Sequence, residues 1–578
     1  MPASVRRARW QEAPCPSDLA PRLCRELGVS PLLGRLLANR GLATPEQARL
    51  FLQGSLDDLP DPRLLAGMEA AVSLLDAALV GGEHIRVWGD YDVDGVAATA
   101  LLVRALQALG GNVSHYLPHR VQEGYGLNQA ALHRCAREGV KLLVTVDCGI
   151  GAQDEVALAR RLGMQVVITD HHLPPEALPA ADAIINPHQP GCAYPEKELC
   201  GAGLAFKLLD ALCRRRGLAA RSPCHFLDLV ALATVADMVP LQGENRLLVQ
   251  AGLSALRTTR KLGLQALMAE AQIEPERLDV YHLGYVLGPR LNAAGRLQSA
   301  QAALDLLLTP DAAEAAALAR QLSQWNRARQ EEEKRTLEQA LAMVQAECDL
   351  EREWALVLAH ESWHPGVVGI VASRLVERYC RPALLVALRD GAGKGSGRSI
   401  PGFHLYQALC ECADLLERFG GHEMAAGFSV APEQVPALRQ RLCQVAAAQL
   451  RPEQLSPLLV VDAWVKPAVL GVELGQECAR LQPFGHGNPS PLLGLQGAEL
   501  CEARPVGDGS HLRLRLRAGG QEHTGIWFGY GYLAEHLQPP EPLDLVFVPA
   551  LNEWNGACRL DLQVADLRAG RELPPAPG

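Results

Sequence analysis

The sequence predicts an α/β protein in which two α/β lobes are joined by a long helix and followed by a small β-barrel. Three observations predict this architecture. Short apolar segments alternate with helical stretches between about residues 70 and 240. Residues 311–350 contain neither glycine nor proline, and short runs that alternate apolar and polar residues fill the last part of the chain. Because 578 residues exceed what one hydrophobic core supports, about three or four domains are expected.

The first lobe is predicted from four short segments that are apolar on both faces, after a helical lead-in over residues 1–60. Strands buried on both faces of a parallel sheet have this composition, and a helical pattern follows each segment. Ligands of such an open sheet bind at the carboxyl ends of its strands. The four predicted strands are residues 85–88, 142–146, 166–169 and 183–185.

The uninterrupted segment 311–350 predicts one long helix, which a helical segment over residues 241–310 precedes. Its length and its charged run at residues 331–335 predict a strut between domains rather than part of a core. A second α/β lobe is expected over residues 351–450. Its predicted strands are residues 355–359 and 383–388, and its predicted helices are residues 367–379 and 405–419.

Residues 451–578 are rich in short segments with the period of a β-strand. Several strands at close spacing, separated by turn residues, suit a small barrel. The predicted strands lie near residues 459–464, 511–517, 523–528, 543–549 and 557–564.

Composition narrows the class of protein. A hydrophobic fraction of 48% and a charged fraction of 21% are ordinary for a globular chain. The net charge of −10 argues against a nucleic-acid partner at first sight, but it conceals local basic stripes, and cations at an acidic metal site reverse the local field. The sixteen cysteines include no C-x-x-C pair, so reduced thiols are expected rather than zinc sites. No signal peptide and no stretch of about 18 apolar residues is evident, so we expect a cytoplasmic protein.

Acidic and histidine side chains are concentrated at four points where the chain leaves a predicted strand or helix. Carboxylates mixed with imidazole suit divalent ions such as Mn²⁺ or Mg²⁺, and two such ions can hold both oxygens of a phosphoryl displacement. An EF-hand-like calcium loop or a simple turn is the alternative for the first group, and an isolated histidine is usually structural. The candidates are Asp90, Asp92, Asp94, Asp147, Asp170, His171, His172 and Asp237.

Four ordered motifs make the prediction specific. They are Gly89-Asp-Tyr-Asp-Val-Asp-Gly95, Thr145-Val-Asp-Cys-Gly149, Asp170-His-His172 and Ala233-Thr-Val-Ala-Asp-Met-Val-Pro-Leu241. With these motifs the chain resembles the DHH phosphoesterase superfamily, and within it the bacterial exonucleases specific for single-stranded DNA. Supporting segments are residues 120–127, 288–297, 363–369, 395–399, 419–427 and 483–489.

The resemblance implies a DHH catalytic domain over residues 61–240, a DHH-associated domain over 351–450 and an OB-fold domain over 451–578. It implies metal roles for six side chains, with Asp147 between two ions. His172 would face the scissile phosphate, and Asp170 would support the histidines. The implied ligands are Asp90, Asp92, Asp94, Asp147, His171 and Asp237.

The segment Gly393-Lys-Gly-Ser-Gly-Arg-Ser399 is basic and rich in glycine, but it is not a Walker A loop because no Ser or Thr follows its lysine. Glycine lets backbone amides approach a phosphate, although a flexible surface loop is the alternative. The resemblance favours phosphate binding, and Ser396, Arg398 and His422 would share that pocket. Further phosphate candidates, which could equally be ordinary ion-pair partners, are Arg120, Arg290 and Arg296.

The barrel segment carries a basic strand, His511-Leu-Arg-Leu-Arg-Leu-Arg517. Alternation puts its leucines on one face and its arginines, Arg513, Arg515 and Arg517, on the other. Such a strand could follow a phosphate backbone while nearby aromatic residues at 527, 528 and 530 stack on bases. The alternative is a solvated edge strand with its aromatics in the core. Residues 527 and 528 point to opposite faces, so only one of them can face DNA.

These observations predict an exonuclease that degrades single-stranded DNA from 5′ to 3′ with two Mn²⁺ or Mg²⁺ ions, in recombination and repair; the direction and the role come from the resemblance. Two alternatives stay open: a related phosphoesterase acting on pyrophosphate or short oligonucleotides, and a non-catalytic single-strand-binding scaffold. We expect the protein to be a monomer. Its expected partners are a single-strand-binding protein and a helicase, and no membrane association is expected.

Overall fold

The structure, a computed structural model, describes residues 8–120, 122–219, 222–389, 391–554 and 557–570, and residue 573. The outer ends of the predicted lead-in and of the predicted barrel segment therefore lie outside the described residues. Contacts divide the chain into two compact units. The first unit comprises Glu46–Ala328 and Leu481–Pro489, and the second comprises Met1–Pro45, Arg329–Arg480 and Ser490–Gly578. The six segment limits predicted from the sequence stay predictions.

Strands and helices alternate along much of the chain. In chain order the strands of the described residues are β1 (Arg9–Glu12), β2 (His84–Trp88), β3 (Asn112–Tyr116), β4 (Leu142–Val146), β5 (Gln165–Thr169), β6 (Ala183–Ile185), β7 (Leu356–His360), β8 (Ala383–Arg389), β9 (Ala392–Arg398), β10 (Arg418–Gly421), β11 (Ala425–Val430), β12 (Leu458–Val461), β13 (Ala463–Trp464), β14 (Leu493–Val506), β15 (His511–Ala518), β16 (Gln521–Trp527), β17 (Glu541–Trp554) and β18 (Ala557–Ala569).

A π-helical turn, His282–Leu287, lies directly before α12. The α-helices are α1 (Leu19–Leu27), α2 (Pro31–Asn39), α3 (Pro45–Gln53), α4 (Met68–Gly81), α5 (Val93–Ala108), α6 (Gln129–Arg137), α7 (Gln153–Arg161), α8 (Gly201–Arg215), α9 (Leu227–Ala236), α10 (Gly243–Arg257), α11 (Leu262–Glu270), α12 (Gly288–Leu297), α13 (Gln301–Leu308), α14 (Ala312–Glu347), α15 (Val368–Tyr379), α16 (Leu405–Cys410), α17 (Val435–Gln449) and α18 (Val472–Ala479).

A five-stranded parallel sheet, in the order β3-β2-β4-β5-β6, forms the centre of the first unit. Its central strand β4 is buried along its whole length. Val144 and Val146 pack into one hydrophobic core and Leu143 into another on the opposite face. Burial on both faces explains why the strand is apolar throughout. The four strands predicted from the sequence are confirmed, whereas the half-exposed edge strand β3 was not predicted because its composition is mixed.

The long helix is present as α14, but the expectation that it is a strut rather than part of a core is wrong. Ala315, Ala319 and Leu322 near its start are buried in the core of the first unit. Ala340 and Val344 near its end are buried in a core of the second unit. The sequence analysis missed these small and apolar side chains because they are widely spaced among many charged residues. They lie along one side of α14 in each half of the helix.

The second unit contains a five-stranded sheet in the order β10-β11-β9-β8-β7. One sequence prediction is wrong here, and the alternative given for the glycine-rich segment is excluded. The helix expected over residues 405–419 ends at Cys410, and the chain then enters strand β10. The glycine-rich segment is the central strand β9 rather than a loop. Its Gly395 lies beneath the ring of Phe428, its register partner on the neighbouring strand. Glycine is needed here because any side chain would clash with that ring.

A closed five-stranded barrel ends the second unit. Strands β14 to β18 are joined in the order β14-β15-β16-β18-β17, and pairing of β14 with β17 closes the ring. The predicted small barrel is confirmed. Its longest members include β14, which the sequence analysis missed because the segment begins with two glycines and a glutamine among its apolar residues. A register shift between Leu500 and Glu502 interrupts the alternation further along this strand.

Two features concern the whole of the described chain. No single described helix is long and apolar enough to cross a membrane; one bent pair, Leu56–Leu64 with Met68–Gly81, passes that test by length and composition. The sixteen cysteines are all free, and no disulfide joins any of them in the described residues.

The packing of Gly395 against Phe428 generates a test of the β9 assignment. A Cβ atom at Gly395 would lie 2.2 Å from the Phe428 ring, so Gly395→Ala should lower the free energy of unfolding by about 1–3 kcal/mol through overpacking. Gly427→Ala is the matched control on β11, because its Cβ would meet only the Gly395 carbonyl oxygen, at 4.0 Å. Thermal unfolding of the full chain measures both, and an equal Tm for the two variants would contradict the packing described.

Candidate metal centre

Three of the four predicted acidic groups lie at one edge of the first sheet. Asp147 and Asp170 follow β4 and β5 directly, and Asp90 follows β2 by two residues. These strands are parallel neighbours, so their carboxyl ends meet at the same edge. Asp237 is the residue that ends α9, and Asp94 lies in the first turn of α5.

Two glycines allow this convergence. A Cβ atom at Gly95 would lie 2.5 Å from the backbone nitrogen of Asp90, and one at Gly201 would lie 2.6 Å from Cβ of Asp147. Real Cβ atoms do not approach other atoms so closely, so only glycine fits at these two positions. The missing side chains leave room for the acidic segments to lie next to one another. Asp147 itself has φ 59, an uncommon value for a residue other than glycine that occurs where a site imposes it.

Three overlapping groups of possible ligand atoms result in the described residues, each with its atoms within 4.8 Å of one another, and two of them have no residue in common. In the first group, Nε2 of His171 lies 3.7 Å from Asp94 Oδ2 and 3.6 Å from Asp237 Oδ2. The second group consists of Asp90, Asp92 and Asp147. Asp147 Oδ1 also lies 3.0 Å from Nε2 of His171. Asp147 therefore stands between the two groups, as expected of a carboxylate shared by two ions.

Backbone amides orient Asp94. The N–H groups of Gly201 and Ala202, at the start of α8, donate to its two carboxylate oxygens, and the bond from Ala202 measures 2.7 Å. A helix N-terminus stabilises negative charge, so α8 offsets part of the cost of charging this buried carboxylate. Asp92 caps α5 by accepting from the N–H of Asp94 and of Gly95.

The two histidines have different environments. Nδ1 of His172 lies 2.7 Å from Asp170 Oδ1, which fixes the ring and leaves Nε2 as its other polar atom. Asp170 is in turn held by the N–H of Ile150, at 2.9 Å. His172 also forms a third possible ligand group with Asp147 and His171, although its Nδ1 is 4.0 Å from Asp147 Oδ1. Asp170 thus supports His172 rather than joining a ligand group.

Burial and mutual repulsion raise the pKa values of the clustered carboxyls. Burial and the charge of Asp92 raise the pKa of Asp94 to about 7. Burial and the charges of Asp94 and Asp92 raise the pKa of Asp237 to about 9. Burial and neighbouring carboxylates also raise the pKa values of Asp90 and Asp147 above their ordinary range. Carboxylates collected in this way need a cation to be charged at neutral pH.

The histidine pKa values shift in opposite directions. Burial and the neighbouring His172 lower the pKa of His171 to about 4, so its ring is neutral, as a metal ligand must be. Burial lowers the pKa of His172 too, but the hydrogen bond and charge of Asp170 outweigh it and raise that pKa to about 9.

The residues fit two divalent cations. Oδ1 of Asp90 is buried without a hydrogen-bond partner in the described residues, and most donors are hard carboxylate oxygens with one imidazole, which suits Mn²⁺ and Mg²⁺. The ligands come from four separate segments, which removes the EF-hand alternative. Every group of His, Cys, Asp and Glu close enough to hold an ion, within the described ranges, belongs to this centre.

A cavity of about 350 Å³ opens onto the centre. Two of the three predicted phosphate candidates, Arg120 and Arg296, line it. The Arg120 guanidinium lies 4.9 Å from the centre of the Tyr91 ring. Arg290 is not among the lining residues; it donates to the Val286 carbonyl at 2.7 Å and to Ser323.

Tyr125 and Asn292 are among the residues of this cavity that the sequence analysis missed. Tyr125 donates to the Asp147 carbonyl at 3.0 Å and lies 3.2 Å from Nδ1 of His172. Asn292 accepts from the N–H of Val93 at 3.1 Å and so positions the start of α5. Both residues lie in segments that supported the family resemblance, 120–127 and 288–297. Their membership of those segments was the only indication in the sequence that they belong to the site.

In the second unit, Ser396 and Arg398 project from β9 to the same face. Nη1 of Arg398 donates to Ser396 Oγ at 3.1 Å. The first turn of α15 covers this pair, since a Cβ at Gly369 would lie 2.8 Å from Ser396 Oγ. The exposed His422 lies in the turn between β10 and β11. Its backbone N–H donates to the carbonyl of Ala425, the register partner of Arg398, at 2.8 Å. Because β9 is paired on both sides, its amides are engaged in the sheet, which corrects the expectation that they hold a phosphate.

The basic strand of the barrel alternates as predicted. Its leucines are buried and its arginines face outward. The outer face is not purely basic, however: Arg515 pairs with Glu502 and Glu522, and Arg517 pairs with Glu499 and Glu522. Arg513 instead lies opposite Arg504 in the register, so the positive charge is concentrated at that end.

The aromatic residues near this strand separate as alternation requires. Trp527 is buried and stacks on Tyr530 with ring centroids 3.8 Å apart. Phe528 is 56% exposed and contacts His511 edge to face. Of the pair at 527 and 528, Phe528 is therefore the one available to a base.

Three family models match the chain. The DHH family, N-terminal domain, matches residues 84–234; the DHHA1 domain matches residues 353–448; and the RecJ OB domain matches residues 461–566. The matches cover the first sheet with every residue of the metal centre except Asp237, the sheet of the second unit and most of the barrel.

Similar proteins include several curated under the name single-stranded-DNA-specific exonuclease RecJ. The one from Bacillus subtilis is 40% identical over 96% of this chain and 70% of its own length. The one from Escherichia coli is 37% identical over 93% and 96%. A crystal structure of RecJ in complex with Mn²⁺ from Thermus thermophilus is 36% identical, covers 98% of this chain and 80% of that chain, and has a TM-score of 0.83.

The raised carboxyl pKa values predict how metal-free stability depends on pH. The pKa values of Asp94 and Asp237 in the folded state are about 7 and 9, against about 4 in an unfolded chain. Between these values the folded state binds more protons, so the free energy of unfolding should fall as pH rises. Tm in EDTA should drop from about pH 5 to about pH 8, and Mn²⁺ should raise it most at the higher pH.

Asp237→Asn serves as the control for this pH dependence. With one of the raised carboxyls removed, its Tm in EDTA should fall less steeply than that of the wild type over the same range. Parallel curves for variant and wild type would show that the cluster is not under electrostatic strain.

Proposed function

Because this chain belongs to the RecJ family of single-stranded-DNA-specific exonucleases, we propose that it hydrolyses single-stranded DNA from the 5′ end with two divalent cations, Mn²⁺ or Mg²⁺. The observation that carries the proposal is the position of Asp147, which belongs to the group of Asp90 and Asp92 and whose Oδ1 also lies 3.0 Å from Nε2 of His171 in the other group. A single-metal or purely structural site needs no second cluster and no shared carboxylate. The barrel supplies a surface that a pyrophosphatase or dinucleotide hydrolase would not need.

In the proposed mechanism Asp94, His171 and Asp237 would hold one cation, Asp90 and Asp92 would hold the other, and Asp147 would be available to both. When bound, the two cations supply positive charge that holds the attacking water near the phosphorus and stabilises the charge that develops on the phosphate. The carboxylates' backbone and helix contacts keep the ligand atoms in place before substrate arrives, which reduces the cost of reorganisation.

His172 is proposed as the residue that faces the scissile phosphate. Asp170 binds its Nδ1, so Nε2 is the atom that can donate to a phosphate oxygen or protonate the leaving 3′ oxygen. Asp170 keeps the pKa of His172 high, at about 9 despite burial. Nearby cations would lower that value toward neutrality, where a general acid works best. Arg120 and Arg296 would bind neighbouring phosphates from the cavity wall.

A phosphate-binding role is proposed for Ser396, Arg398 and His422 of the second unit. The guanidinium of Arg398 and the hydroxyl of Ser396 share one face of β9 near the N-terminus of α15, and helix N-termini favour phosphate. A terminal 5′-phosphate carries more charge than an internal one, so this group would favour the 5′ end and give the 5′-to-3′ direction.

The barrel is proposed to bind the strand away from the reacting end. Arg513, opposite Arg504 in the register, and the exposed Phe528 are the best-placed residues for a phosphate and a base. Arg515 and Arg517 would have to exchange glutamate partners for phosphates. We further propose that the protein acts as a monomer in the cytoplasm, in DNA recombination and repair, and that a single-strand-binding protein and a helicase present its substrate.

The shared carboxylate provides the test of catalysis. Asp147→Asn should reduce hydrolysis of single-stranded DNA in Mn²⁺ by at least about 100-fold, equivalent to about 2.7 kcal/mol of barrier, because a neutral amide bridges cations poorly. Asp154→Asn, an exposed aspartate at the start of α7, should leave the rate unchanged. A rate for Asp147→Asn within about tenfold of wild type, with Tm preserved, would disprove the metal assignment.

The proposed end pocket has a separate test. Arg398→Ala should reduce the preference for a 5′-phosphorylated over a 5′-hydroxyl strand, while leaving cleavage of the 5′-hydroxyl strand nearly unchanged. The expected change is about tenfold or more, because the substitution removes a charge-assisted hydrogen bond to the terminal phosphate. Arg441→Ala, in the same unit and paired with Asp414, is the control. A preference as strong as in wild type would mean that another group reads the 5′ end.

A further inference from the structure

Two exposed tyrosines on the first unit have no role in the site described above. Tyr281 and Tyr285 are 60% and 73% exposed. Their rings are stacked, with centroids 5.2 Å apart and planes inclined by 24°. Neither hydroxyl makes a hydrogen bond within the described part of the chain. Large aromatic side chains exposed in this way usually mark a surface that binds something.

The two tyrosines lie at a π-helical turn, His282–Leu287. Tyr281 directly precedes this turn and Tyr285 lies within it. Residues four apart in a helical segment are neighbours on its surface, so the two rings can project together. Such turns are rare and occur frequently at functional sites. The stacked, exposed rings are therefore placed at an unusual turn of the backbone.

The two tyrosines and two residues of the metal-centre cavity lie on the same helical segment. Tyr285 lies in the π turn, and Arg296 lies eleven residues later in α12, which follows that turn without a break. Asn292 and Arg296 line the cavity of the metal centre. This continuous helical segment thus carries two exposed rings at one end and two polar, cavity-lining residues at the other.

A second contact links the π turn to the metal ligands. A Cβ at Gly284 would lie 3.3 Å from Val235, and one at Gly288 would lie 3.5 Å from Ala236. These two residues end α9 immediately before Asp237. The helix with the tyrosines therefore packs tightly on the segment that supplies a proposed metal ligand. The rings are held on a rigid element rather than on a loop.

We propose that Tyr281 and Tyr285 form a stacking platform for nucleobases of the single strand whose phosphates enter the cavity. The inference rests on the proposed function and adds a base-binding subsite to it. Nucleobases are the occupant favoured here because the cavity that the same helix lines carries Arg120 and Arg296 for phosphates. Flat rings accept any base, so the platform would bind DNA without sequence preference.

Binding measurements in EDTA, where the strand is not hydrolysed, test the platform. Tyr285→Ala should weaken binding of single-stranded DNA about tenfold, equivalent to about 1.4 kcal/mol. Tyr285→Phe should bind within about twofold of wild type, because stacking needs the ring and not the hydroxyl. Tyr406→Ala, an exposed tyrosine of the second unit, is the aromatic control and should bind like wild type.

Strands with a single abasic position, placed in turn at each of the first several nucleotides, identify the base involved. Wild type should lose affinity at one or two positions, and Tyr285→Ala should show no further loss there, because the same stacking interaction is already absent. Additive losses at every position, or equal effects of the Phe and Ala variants, would overturn the platform.

Hydrolysis of a long strand in Mn²⁺ separates this inference from the proposed function. If wild type degrades the strand but Tyr281→Ala and Tyr285→Ala bind it like the Tyr406→Ala control, only the platform is wrong, and the tyrosines face a different partner. If wild type neither binds nor degrades the strand, the proposed function and the platform both fail. Unchanged Tm values show that the variants are folded.

Discussion

Electrostatic repulsion among carboxylates at one edge of the first sheet is the constraint on which the site depends. Asp94 and Asp147 are almost fully buried, and each raises the cost of charging the other. A low-dielectric surrounding amplifies that cost. The arrangement is favourable only with bound cations, whose positive charge turns the repulsion into attraction. The chain's net charge of −10 is therefore misleading, because two divalent cations would offset much of the acid concentrated at this edge.

The fold holds the carboxylates together through groups that are not ligands. The N-terminus of α8 binds Asp94, and glycine at position 201 leaves room for Asp147 beside it. Asp170 lies outside the ligand groups and orients His172 instead. Such supporting contacts set the position and charge state of the residues that bind metal. A parallel sheet is suited to this task because neighbouring strands deliver their carboxyl ends to one line.

In the second unit, two sequence patterns that suggested phosphate binding also have structural roles within the protein. Glycine at position 395 marks a strand crossed by the ring of Phe428, not a loop that cradles phosphate. The arginines of β15 face outward as alternation requires, yet Arg515 and Arg517 are paired with glutamates of adjacent strands. To bind phosphates on this face, Arg515 and Arg517 would first have to leave their glutamate partners. Phosphate binding is therefore weaker than it would be to a row of unpaired arginines.

The sequence by itself predicted the fold class and the acidic and histidine residues that the structure brings together at one edge of the first sheet. Strands such as β4 are apolar on both faces, and acidic residues follow them at once; both signals are local, so they can be read without a structure. Only the tertiary structure decided that Arg290 turns away from the cavity while Tyr125 and Asn292 enter it. It also decided that β9 is a strand. Each of these outcomes depends on a neighbour distant in sequence, and local composition and periodicity contain no information about such neighbours.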